Sequence, residues 1–252
     1  MANDDPGQDL EHGHQPHAIR MRIDGDGGHG HLSDAVLGAM DGSITTFTIV
    51  AGAVGGGLTG TVIVILGLAK VVADAFSMAA SNYLGARSRE QEIEQARAME
   101  RRHIEHAPEG EREEIRYIFR QKGFAGRILD EVVEVLSRHP EAWVETMIKE
   151  ELHLPSKTSH PIKAAAATFL AFLAIGVVPL APFLLAPESI GRAFLISMAI
   201  TGLAFVLIGL VRGVVLGQSV WRSGLETLLT GGAAAAVAYG IGSWLRQSYG
   251  VG

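Results

Sequence analysis

DAVLGAMDGSITTFTIVAGAVGGG, residues 34–57, decides the fold. Two carboxylates, Asp34 and Asp41, open a run that is otherwise apolar or small. At about 1.5 Å per residue the run is long enough to cross a bilayer as a helix. LTGTVIVILGLAKVVADAFSMAASNYL, residues 58–84, is a second such run. GGGLTG at 55–60 makes a tight hairpin between them. Gly38 and Gly42, then Gly52 and Gly56, repeat at four-residue spacing. Small residues so placed let helices approach closely in lipid. Ionisable groups inside a spanning segment are costly, and an ion path is the usual reason for keeping them.

Outward from this pair the chain changes character twice. Residues 1–33 are polar and glycine-rich, with His12, His14, His17, His29 and His31. No helical or strand period holds there, which predicts a disordered His-rich tail with a loose capacity for metal. Residues 85–160 hold most of the charge. Helical character continues unbroken from the second span until Pro108, resumes near Glu109, and stops by Gly123. Ile128, Leu129, Val132, Val133 and Leu136 then follow helical spacing, and Pro140 leads a further helix carrying Trp143, Met147, Ile148 and Leu152. These short amphipathic helices predict a water-facing acidic helical domain. From residue 161 to 247 the chain is apolar again, with spans at about 163–186, 190–216 and 223–245. Pro179, Pro182 and Pro187 interrupt or end the first of these. The expectation is an all-α membrane protein with five transmembrane helices and a helical insert between spans two and three.

Composition agrees. Hydrophobic residues make up 48% and charged residues 19%, a combination that requires segregation along the chain. The net charge of −6 gives no basic footprint for nucleic acid. With no cysteine, disulfides, thiolate metal sites and Cys nucleophiles are excluded. No basic-then-apolar leader opens the chain. Arg20, Arg22, Arg87, Arg89, Lys157, Lys163, Arg212 and Arg222 fall on one side of the spans, against Arg192 and Arg246 on the other. That bias predicts a cytoplasmic N-terminus and a cytoplasmic insert. The lack of a targeting segment and the Ala/Gly/Arg-rich composition point to a bacterial inner membrane.

Several residues can carry chemistry. Glu100 and His103, Glu111 and Glu114, and Glu150 and His153 are each three apart, and Met147 and Glu151 four apart, so each pair shares a helix face. Carboxylates with an occasional His or Met suit Fe²⁺ or Mn²⁺ better than Zn²⁺ or Cu⁺. Interleaved arginines leave a solvated charged face as the alternative. Within the spans, Asp41 lies one heptad from Asp34, and Met78 four residues from Asp74. A carboxylate and a thioether facing each other across two helices would hold a borderline divalent cation transiently. Lys70 could instead pair with Asp74 or Asp41 as a structural ion pair.

SDAVLGAMDGSITTFTIVAGAVGG, ADAFSMAASNYLGARSREQE, an acidic insert ending in MIKEELHL, and three further spans together resemble the vacuolar iron transporter family. The resemblance covers about 34–247. It implies a five-span homodimer that exports Fe²⁺, and often Mn²⁺, from the cytosol in exchange for protons. It implies no enzymatic activity and no resident cofactor; divalent metal ions, protons and the lipid bilayer are the implied partners. By resemblance Asp41 and Met78 match the carboxylate and thioether of the path, and Asp34 a carboxylate nearer its cytoplasmic mouth. Glu100, Glu111, Glu114, Met147 and Glu151 match ligands of the metal-binding domain. His103 stands where the family pattern carries a second Glu, so that site would hold less negative charge. A membrane-anchored di-iron ferroxidase built on the two Glu-x-x-His pairs is the rival reading, and a passive channel using the same residues is a third.

Overall fold

The structure, a computed structural model, describes residues 15–17, 19–20, 29–155, 160–186 and 188–250. The rest of the expected His-rich tail lies outside these residues, as does Pro187. Among the described residues all regular structure is helical. In chain order the helices are α1 (His29–Gly55), α2 (Gly60–His106), α3 (Pro108–Gln121), α4 (Gly126–Ser137), α5 (Pro140–Glu150), α6 (Pro161–Gly176), α7 (Ala181–Leu185), α8 (Ile190–Val215) and α9 (Val220–Tyr249), with a 3₁₀ turn at Val178–Leu180. Five stretches are long and apolar enough to cross a membrane: His31–Gly55, Gly60–His106, Pro161–Leu185, Ile190–Val215 and Val220–Tyr249. The all-α, five-span expectation holds. The first helix starts at His29, before the expected boundary at residue 34.

Two compact units form. One comprises the described residues up to Phe76 and from Ala167 onward, the other Ser77–Ala166. In the first, α1, α8 and α9 pack on one another. Their shared core is Phe47, Ala51, Phe205 and Ala235, all buried. Phe47 meets Phe205 edge-on, with ring centroids 6.2 Å apart. The glycine spacing of α1 has a direct structural counterpart. A Cβ on Gly38 would lie 2.5 Å from the Thr168 carbonyl oxygen, and one on Gly42 2.6 Å from that of Phe172, so this pair seats α6. On α9, a Cβ on Gly242 would lie 2.1 Å from the Gly52 carbonyl oxygen. Backbones touch here because nothing projects between them. The third span breaks at its prolines, as expected. The Pro179 carbonyl at that break accepts a 2.7 Å hydrogen bond from the buried Ser197 hydroxyl, which satisfies a group that lipid could not.

Large apolar side chains of this unit, such as Ile65, Leu195, Leu203 and Leu229, point outward, where acyl chains would solvate them. α2 is a single unbroken helix of 47 residues, about 70 Å long. That is more than twice the ~30 Å hydrocarbon thickness, so its charged half from Arg87 onward lies outside it. The helix stops just before Pro108, whose ring disfavours helical geometry at Ala107.

The second unit is held by a core of Ile115, Leu129, Val133, Trp143 and Met147, with Ile104, Ile118, Phe119 and Leu136 packed against it. Ion pairs lace its surface. Arg97 reaches Glu145 at 2.7 Å, Arg101 reaches Glu141 at 2.9 Å, and Lys122 reaches Glu150 at 2.7 Å. Each exposed pair contributes only a few tenths of a kcal/mol. The apolar core, with Met147 and Ile115 fully buried, sets the fold.

Candidate metal centre

The end of α2 and the start of α3 turn back on each other through Ala107. This turn brings Glu100 and His103, one helical turn apart, against Glu111 in the first turn of α3. One ligand atom from each of the three lies within 4.8 Å of the others. His103 Nδ1 is 3.5 Å from Glu111 Oε1. Glu100 is 1% exposed and Glu111 4%. In each, Oε2 is buried and meets no hydrogen-bond donor among the described residues. A carboxylate removed from water without a donor is costly when charged. It either keeps a proton or receives a cation.

The electrostatics follow. Burial pushes the Glu111 carboxyl up to about 7, and the neighbouring Glu114 and Glu100 push the same way; His103 opposes them. Burial also raises Glu100, eased by His103 and reinforced by Glu114. Glu151 is raised by burial and then by Glu100 and Glu114. Five of the six residues expected to bind metal therefore share one field: Glu100, His103, Glu111, Glu114 and Glu151. Met147, the sixth, packs in the apolar core. Its carbonyl accepts from the Glu151 N–H at 3.0 Å, so the two residues sit one turn apart.

The second Glu-x-x-His pair does not form a comparable unit. Glu150 is taken by Lys122, whose hydrogen bond holds that carboxyl below its usual range. α5 ends at Glu150, and His153 has a φ of 56°, so the two are not on one helix face. The four-helix ligand arrangement of a di-iron enzyme therefore finds no support.

None of the span residues belongs to this cluster. Asp34 is half-buried in the first turns of α1, with His31 Nδ1 at 4.0 Å. Asp41 is exposed ten residues after His31, and its Oδ1 accepts from the Thr45 hydroxyl at 3.3 Å. Lys70 donates to both carboxylate oxygens of Asp74, which resolves the open choice of partner in favour of Asp74. Met78, half-buried, follows four residues later on the same helix.

The spacing i, i+3 placed Glu100 with His103 and Glu111 with Glu114, but the meeting of the two pairs depends on the turn at Ala107 and carries no signal in sequence period. Sequence reasoning also did not find the cation that neutralises Glu150.

Comparison with known proteins points to one family. The model of the VIT family matches residues 32–243. A "Vacuolar iron transporter" of Toxoplasma gondii (strain ATCC 50861 / VEG) is 32% identical over 225 residues, covering 86% of this chain and 74% of its own. A "Vacuolar iron transporter 1" of Tulipa gesneriana is 32% identical over 211 residues, covering 83% and 85%. One of Oryza sativa subsp. japonica is 30% identical over 231 residues, covering 91% and 90%.

Proposed function

The chain belongs to the VIT family, and from that premise we propose that it is an integral membrane transporter that moves divalent iron out of the cytosol, with Mn²⁺ as a second cargo. The observation that carries the reading is the convergence of Glu100, His103 and Glu111, with two buried carboxylate oxygens that meet no donor among the described residues. Such a cluster suits a hard-to-borderline divalent cation. Residues 85–160 act as a cytoplasmic metal-binding domain that collects Fe²⁺ on Glu100, His103, Glu111, Glu114 and Glu151. Met147 lies one helical turn before Glu151, and its thioether would add a softer ligand.

The cargo then passes Asp34 at the mouth and reaches Asp41 and Met78 in a path between two copies of the chain. The exposed position of Asp41 within its span supports this part. A carboxylate facing lipid at mid-depth costs roughly 2.5–3.5 kcal/mol, so it calls for a neighbour other than lipid. Carboxylates that exchange a proton for a metal ion couple export to a proton gradient in antiport.

Metal-driven proton flux in proteoliposomes, with Fe²⁺ and Mn²⁺ compared, tests the reading. Wild type should move protons against either metal. Asp41→Ala should abolish both fluxes while leaving the homodimer intact. Full metal transport in Asp41→Ala would overturn the path, and metal uptake indifferent to an imposed pH gradient would replace antiport with passive conduction.

A further inference from the structure

Between α8 and α9 the chain turns in four residues, and the turn holds a cavity of about 460 Å³ lined by Arg212, Gln218, Ser219, Arg222, Ser223 and Glu226. Both flanking helices are of spanning length, 26 and 30 residues, so a connection this short sits at a bilayer surface. Three features of this cavity point the same way.

Its charge is positive. Glu226 lies between the two arginines: Arg222 Nε donates to Oε1 at 3.2 Å, and Arg212 Nη1 stands 4.0 Å from Oε2. One carboxylate against two guanidiniums leaves a net positive charge. Each guanidinium carries five N–H donors in a planar fork suited to phosphate oxygens, and Glu226 engages few of them.

Its floor is a helix N-terminus. The first intrahelical bond of α9 runs from the Ser223 N–H to the Ser219 carbonyl at 3.0 Å. The amides of Val220, Trp221 and Arg222 precede that bond, and Ser219 makes no side-chain cap over them. Orphan amides and the positive end of the dipole favour an anion.

Its wall holds a buried hydroxyl that meets no partner. Ser223 is 1% exposed, and its Oγ has no hydrogen bond among the described residues. A helical hydroxyl ordinarily turns back to the carbonyl four residues earlier. Thr227, Thr230 and Ser243 on the same helix do so, at 2.9, 2.7 and 2.6 Å. Ser223 does not, and it lines the cavity instead.

We propose that the α8–α9 turn binds the phosphate group of an anionic membrane lipid, held by Arg212, Arg222, the Ser223 hydroxyl and the first amides of α9. The location at a membrane surface selects a lipid headgroup over a soluble anion, since lipid phosphates are concentrated there and basic groups near the surface are drawn to them. The assignment is independent of iron and of the path through Asp41.

The test is lipid retention by the full-length chain, purified in detergent with equal amounts of dioleoyl phosphatidylglycerol and dioleoyl phosphatidylcholine and read by native mass spectrometry. Wild type should keep phosphatidylglycerol in preference by about tenfold. The double variant R212Q/R222Q should lose that preference, and Ser223→Ala, which removes a single oxygen atom, should lower it severalfold. Glu226→Gln removes the competing carboxylate and should raise retention. If Glu226 merely anchors the arginines structurally, its loss lowers retention, and the proposal fails. Equal preference in wild type and R212Q/R222Q also overturns it. Inorganic phosphate and glycerol 3-phosphate at millimolar levels should leave the lipid bound; complete displacement by either would overturn the lipid source in favour of a soluble phosphate. Should the double variant lose its helical circular dichroism, Ser223→Ala and Glu226→Gln decide between these outcomes in its place.

Discussion

Metal capture by the acidic cluster should be strongly pH-dependent, and Glu111 sets the scale. Its carboxyl is raised to about 7 because it is buried and faces Glu114 and Glu100. A bound divalent cation needs the carboxylate form, so binding displaces the proton. With a carboxyl at about 7, the factor by which the proton weakens affinity, 1 + 10^(pKa − pH), is about 1.1 at pH 8, about 2 at pH 7, and about 11 at pH 6. Glu111 alone therefore lowers apparent affinity roughly tenfold between pH 8 and pH 6, and the raised Glu100 and Glu151 steepen the slope. The sign for folding is the opposite. An acid whose folded value lies above its unfolded one contributes stability that is present below about pH 4.5 and lost as pH rises through about 7. That loss is of order 3 kcal/mol for Glu111, and bound metal restores it. Isothermal titration of the full-length protein with Mn²⁺ at pH 6, 7 and 8, in buffers of differing ionisation enthalpy, reads affinity and proton release together. Glu111→Gln should flatten the slope, weaken binding at pH 8, and raise metal-free thermal stability at pH 8 but not at pH 5. Affinity flat from pH 6 to pH 8, with no proton released, would refute the reasoning.

Other outcomes follow from the same geometry. Met147→Leu keeps the volume of a fully buried side chain, so stability should change by less than about 1.5 kcal/mol. Loss of Mn²⁺ or Fe²⁺ affinity without loss of thermal stability would mark the thioether as a ligand, and unchanged affinity would confine it to packing. His103→Glu adds a negative charge beside Glu111, so metal affinity at pH 8 should rise about tenfold and its pH slope should steepen; lower affinity would show that the imidazole is the preferred ligand. Gly242→Val adds a Cβ that would lie 2.1 Å from the Gly52 carbonyl oxygen, and should cost about 1–3 kcal/mol or prevent assembly. Gly240→Ala, two residues away with nothing within 4 Å, should be neutral or stabilising by about 0.5–1 kcal/mol. Midpoints of heat-induced loss of monodispersity compare the two.

The spans were legible because bilayer length and apolarity are local properties. The contacts Gly38 with Thr168 and Gly42 with Phe172 could be anticipated as close approaches, though not with which helix. Four-residue spacing fixes a face of α1 and says nothing of what meets it. The same limit applied to the cluster. Glu100 with His103 and Glu111 with Glu114 each follow from helical period, while their meeting follows from the single residue between His106 and Pro108. Lys70 had two candidate partners in the sequence, and the i, i+4 geometry on one helix selected Asp74. Ser223 gave no signal at all, because an unused hydroxyl is visible only when its neighbours' bonds are known.

Two sets of charges lie well inside the spans: Asp41, ten residues past His31, and Lys70, ten residues past Gly60, each about 15 Å from the start of its span. They do not make equal demands on their surroundings. Lys70 and Asp74 neutralise each other on one helix face, and such a pair can face a lipid or protein boundary at reduced cost. Asp41 has the Thr45 hydroxyl at 3.3 Å, a neutral donor that leaves the charge in place. A cationic partner beside it would offset the cost. A second copy of α1 carrying its own Asp41 could not settle the pair by itself, since two like charges at one axis repel. Under the proposed path, a divalent cation beside such carboxylates would offset that repulsion. The countercharge that an exposed intramembrane acid requires is what the proposed path through Asp41 would supply.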